Sequence, residues 1–129
     1  MRPTHIMIEI RITVEAALAL LLERMKFELK FRQKAGIIPT SNRLDDLSYN
    51  ELMKICEAAI FDTIFLLPTD LVIQETNLTH IIAETVKALA RIYKKEEFLL
   101  FSNKKAKQLI QPIVEYLSNI PEEKEFRNN

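Results

Sequence analysis

Residues 48–66 read SYNELMKICEAAIFDTIFL. Ser48 followed three residues later by Glu51 is a capping box, in which the serine hydroxyl takes the Glu51 amide and the glutamate returns to the Ser48 amide. Behind it Leu52, Ile55, Cys56, Ala59, Ile60 and Thr63 recur at spacings of one, three and four. That is the period of one helical face. The stretch predicts a helix over 49–66, stopped by Pro68, with Cys56 in the core. The same period recurs on both sides of it.

Toward the N-terminus, a helix is predicted over 5–35. Leu18, Leu22, Met25 and Leu29 share one face, and Leu20, Phe27 and Phe31 form a second apolar stripe roughly opposite. A helix with two apolar stripes lies in the middle of a bundle or packs on its own domain and on a neighbouring subunit. Leu20, Phe27 and Phe31 are therefore candidates for a protein interface. Ile6, Ile8, Ile10 and Ile12 alternate with Met7, Glu9 and Arg11, a strand period. The stretch is assigned to the helix because no partner strand is evident. Gly36 stands where a C-terminal cap is expected, Pro39 prevents continuation, and IIPTSNRLDD (37–46) reads as a loop.

Toward the C-terminus, a connector over 69–76 leads to a third helix over 78–97, with Asn77 as its N-cap. Its buried face is Leu78, Ile81, Ile82, Thr85, Val86, Leu89 and Ile92. Ser102 caps a fourth helix over 103–118, with apolar positions Ala106, Leu109, Ile110, Ile113, Val114 and Leu117. Pro112 within it removes one backbone hydrogen bond and predicts a kink. Residues 1–4 and 119–129 are expected to fray. The reading is all-α: one domain over 1–129, a single bundle of four to five helices.

Composition agrees. The chain of 129 residues holds one glycine, where average usage supplies about nine. That scarcity argues against sandwiches, barrels, dinucleotide-binding folds and phosphate-cradling loops together. One cysteine excludes an intrachain disulfide. Glu9 and Arg11 interrupt the apolar core that a signal peptide needs, and the run from Ala16 to Leu22 falls far short of the roughly twenty residues of a membrane span. The expectation is a soluble, cytoplasmic protein with no membrane partner.

Catalytic patterns are sparse. His5 and His80 lie far apart, and Cys56 has no activating base at a readable spacing. His80 and Glu84, at i and i+4, make only a fragment of a metal site; a histidine beside a helix carboxylate explains them better. Asp45-Asp46 suits turn and capping duty. The reading is a non-enzyme without metal or cofactor.

The basic residues carry more. Lys87, Arg91, Lys94 and Lys95 fall at i, i+4, i+7 and i+8, one stripe away from the predicted buried face. Lys104, Lys105 and Lys107 follow in the first turn and a half of the fourth helix. Cations there oppose the helix dipole by about 0.3–1 kcal/mol each, whereas first-turn amides and lysines together favour a phosphate. Between 87 and 107 seven basic residues face two acidic ones, Glu96 and Glu97. Lys26, Lys30 and Lys34, near the end of the first helix, complement the dipole and need no other account. Formal net charge is zero, from 18 basic and 18 acidic residues, so any nucleic-acid contact comes from local clustering. Such contact would be to the backbone, sequence-independent and salt-sensitive, and strengthened by repetition of the chain.

These features, with the stretch ALARIYKKEEF…SNKKAKQLIQPI and an N-terminus without a leader, resemble the small helical subunits of CRISPR effector complexes, most of all the type I-D version. That resemblance implies a non-catalytic protein stacked in several copies, touching the guide–target duplex or displaced DNA strand. The zero net charge departs from the more basic pattern of that family. The competing class is a helical adaptor or dimerising scaffold with no nucleic-acid contact.

Overall fold

The computed structural model describes residues 13–65 and 75–118. Among them are four α-helices and no strand: α1 (Val14–Lys34), α2 (Tyr49–Phe65), α3 (Glu75–Tyr93) and α4 (Asn103–Ser118), with short 3-10 turns at Leu44–Asp46 and Glu96–Leu100. The chain is a small all-α helical bundle. Its principal helix contacts run α1 to α2, α2 to α4, α4 to α3 and α3 to α1, a closed ring around one apolar cluster. Several sequence expectations lie outside the described residues: the stretch 5–12 with its alternating isoleucines, the Pro68 stop, most of the 69–76 connector, the burial of Leu117 and the frayed ends.

α1 opens at Val14. Thr13 is extended, and its hydroxyl accepts from the Ala16 amide at 3.1 Å, so the helix does not run through this point from residue 5. Its most buried row is Ala17, Leu21, Met25 and Leu29, while Leu18 and Leu22 are half-buried. α1 packs on both α2 and α3, which broadens its inner face and shifts its centre from the predicted one.

The end of α1 is a Schellman motif. Gly36 takes φ +78°, the Ile37 amide donates to the Arg32 carbonyl at 2.9 Å, and the Gly36 amide donates to Gln33 at 3.1 Å. The Gln33 side-chain amide then donates to the carbonyls of Pro39 (3.0 Å) and Asn42 (2.8 Å), pinning the following loop. Ile38, Leu44 and Leu47 bury that loop against the core.

α2 starts where predicted and buries its predicted face; its predicted end at residue 66 lies outside the described residues. The Glu51 amide donates to the Ser48 hydroxyl and the Ser48 amide to the Glu51 carboxylate, both at 3.2 Å. Leu52, Ile55, Cys56, Ala59, Ile60 and Thr63 are all buried, and the Thr63 hydroxyl donates to the Ala59 carbonyl at 2.7 Å.

α3 departs from its prediction at both ends. It begins at Glu75, so Asn77 lies in the first turn and is not the cap. The helix ends at Tyr93, short of Glu97, because Lys94 takes φ +55° and the Lys95 amide donates back to Ala90 at 3.1 Å. Tyr93, one turn beyond Leu89, is the half-buried residue of the last turn and leaves Ile92 at the exposed edge. The 3-10 turn after it is fixed by Phe98, fully buried with its ring 4.9 Å from that of Tyr49 at 70°.

α4 starts as expected: the Lys105 amide donates to the Ser102 hydroxyl at 3.2 Å and the Ala106 amide to the Ser102 carbonyl at 2.9 Å. Ala106, Ile110 and Ile113 point inward, while Pro112 sits inside the helix at an exposed position. There the acceptor it deprives of a donor, on exposed Gln108, is open to water.

Candidate nucleic-acid interface

The basic stripe divides in two. On α3, Lys87 and Arg91 are one turn apart, and the left-handed turn at Lys94 brings a third cation beside them. These three line an open groove of about 720 Å³, whose walls also include Val14 at the start of α1 and Leu99 of the 3-10 turn. Glu84 and Glu96 line the same groove. The Lys87 ammonium stands 3.7 Å from the Glu84 carboxylate, with both side chains more than one-third exposed. Pairs of that kind contribute about 0–1 kcal/mol, so a phosphate can displace the carboxylate at small cost. Lys95 does not line the groove; it is half-buried in the extended residue that precedes the 3-10 turn. The predicted stripe of four is thus a cluster of three, because the helix stops before its fourth member.

Lys104, Lys105 and Lys107 are exposed on the first turn and a half of α4, where the first turn holds no acidic residue. The Lys105 ammonium reaches across to Glu57 of α2 at 3.9 Å. Its amide is occupied by Ser102, which leaves the amides of Asn103 and Lys104 as the first-turn donors without an intrahelical acceptor. The α4 lysines are not among the residues that line the α3 groove.

The wall residues Val14 and Leu99 were missed by sequence reasoning. Nothing in the local pattern marks a left-handed turn at a lysine, and that turn is what folds Leu99 back over α3.

The remaining candidates lie as follows. Leu20, Phe27 and Phe31 are on the outer side of α1, and Arg24 lies over the Phe27 ring at 5.3 Å. His80 is exposed, and Glu84 engages Lys87. Among the described residues no group of three or more histidine, cysteine, aspartate or glutamate side chains is placed to hold a metal ion. Cys56 is fully buried; burial first, and the Glu57 charge second, push its thiol well above the usual range, so it stays protonated. Burial first, and the charge of Asp45 second, push the Tyr93 phenol up to about 12. No helix among the described residues is long and apolar enough to cross a membrane.

Comparison of the chain with known protein families, with curated proteins and with solved structures finds no match in any of the three.

Proposed function

We propose that this chain is a non-catalytic helical subunit of a multi-protein nucleoprotein complex that holds nucleic-acid backbone against its basic surface. The observation that carries this reading is the convergence of Lys87, Arg91 and Lys94 on one open groove. Three cations against two carboxylates leave the groove with one net positive charge when all five are ionised, on a chain whose net charge is zero. The exposed lysines at the start of α4 supply a second cationic contact for the same backbone. In its most specific form the proposal is a CRISPR effector small subunit, with several copies contacting one strand.

The test is fluorescence polarisation with a labelled single-stranded oligonucleotide at about 50 mM salt. Charge reversal of Lys87, Arg91 and Lys94 together is expected to weaken binding at least tenfold. Reversal of Lys104, Lys105 and Lys107 is expected to weaken it less, with helix content by circular dichroism unchanged in both variants. Binding that survives both reversals removes the proposal.

The exposed stripe on α1 favours a second reading, a helical adaptor that works through Leu20, Phe27 and Phe31 alone. It predicts partner binding that is indifferent to all six basic residues and lost on truncation of Phe27 or Phe31.

A further inference from the structure

Leu20, Phe27 and Phe31 are 40%, 58% and 67% exposed, on a helix whose inner row is almost fully buried. With Arg24 they fall at spacings of four, three and four, the seam of a two-helix coiled coil. At about 100° per residue the seam lies roughly a third of a turn round from the buried row, so it is a separate face. Exposed Glu23 and Lys30 flank it on the solvent side, in equivalent heptad positions.

We propose that a second copy of this chain docks here, α1 against α1 in antiparallel orientation about a two-fold axis. This rests on reading the stripe as a protein interface and supplies its partner. Antiparallel pairing centred between residues 25 and 26 sets Leu20 against the partner's Phe31 and Arg24 against the partner's Phe27. The guanidinium, already over one phenyl ring in its own chain, then lies between two. The same pairing places Glu23 near the partner's Lys30, and Lys30 near the partner's Glu23, so the charge pattern is self-complementary. Parallel pairing in register fails on both counts, because it stacks Arg24 on the partner's Arg24 and leaves each flanking charge without its opposite.

The experiment is sedimentation velocity on the full chain from about 1 to 100 µM, since a seam this short gives weak association. A concentration-dependent dimer is expected, abolished in Phe27→Glu/Phe31→Glu with helix content unchanged. Glu23→Lys and Lys30→Glu are each expected to weaken the dimer about 3- to 10-fold. Mixing those two single variants, or combining both changes in one chain, is expected to restore it. A wild-type monomer throughout, a dimer indifferent to Phe27 and Phe31, or no rescue on mixing overturns the pairing. Oligonucleotide polarisation on the same samples separates the two proposals: a monomer that still binds defeats the pairing alone.

Discussion

α1 and α3 end in the same way and are held by different chemistry. Both chains of backbone turn through a left-handed residue, at Gly36 with φ +78° and at Lys94 with φ +55°, and both return an amide to a carbonyl five residues back. After Gly36 the chain is pinned by the Gln33 side-chain amide and by three buried aliphatic side chains. After Lys94 it is pinned by Phe98 against Tyr49. The difference is that glycine adopts this conformation freely, whereas a residue with a Cβ pays about 1–2 kcal/mol for it. The second turn is therefore imposed by tertiary packing, and its by-product is a cation placed over the α3 groove.

The largest expected effect tests that claim. Phe98→Ala removes a fully buried ring and is expected to lower stability by about 3–5 kcal/mol, read from the urea midpoint. If packing imposes the Lys94 turn, the variant also loses amide-exchange protection at Lys95; protection retained there would separate the two. Gln33→Ala, the counterpart on α1, removes two hydrogen bonds at a partly exposed site, with an expected loss of about 1–2 kcal/mol.

Exchanging the two cap residues sharpens the comparison further. A Cβ at Gly36 meets no atom within 4 Å, so Gly36→Ala reports conformation alone, with an expected loss of about 1 kcal/mol. Lys94→Gly is expected to go the other way, stabilising by about 0.5–1 kcal/mol because relief of the left-handed strain outweighs the added freedom of the unfolded chain. A destabilised Lys94→Gly would mean that the lysine side chain itself holds the turn.

The smallest effect is in pH. Tyr93 immediately precedes Lys94, and its phenol is raised from the ordinary 10.0 to about 12. The unfolded chain releases that proton first, so this group costs stability as pH climbs from about 10 to 12 and contributes no pH dependence below that window. The midpoint of urea unfolding should fall across this range, and less steeply in Tyr93→Phe. An equal slope in the variant would assign the alkaline loss to other groups, the Cys56 thiol among them.

The same comparison explains what could be read from the residues. Gly36, the Ser48–Glu51 box and Ser102 act within four residues of themselves, so their effects are visible in sequence, and α2 and α4 start where predicted. The inner faces of α2 and α4 follow from period alone. The end of α3 does not, because it depends on Phe98 reaching Tyr49, 49 residues earlier in the chain. Extending the helical period through Lys95 and Glu97 therefore put four cations in one stripe where three share a groove. The exposure of Leu20, Phe27 and Phe31 likewise depends on which sides of α1 its neighbours α2 and α3 occupy.

The most direct test of the account is backbone amide mapping by NMR during titration with an unlabelled single-stranded oligonucleotide at low salt. The account predicts shifts concentrated at Lys87, Arg91, Lys94 and Leu99, with a second set at Asn103 and Lys104, all collapsing as salt is raised. Shifts absent from these residues, or confined to the α1 face around Phe27, would contradict it.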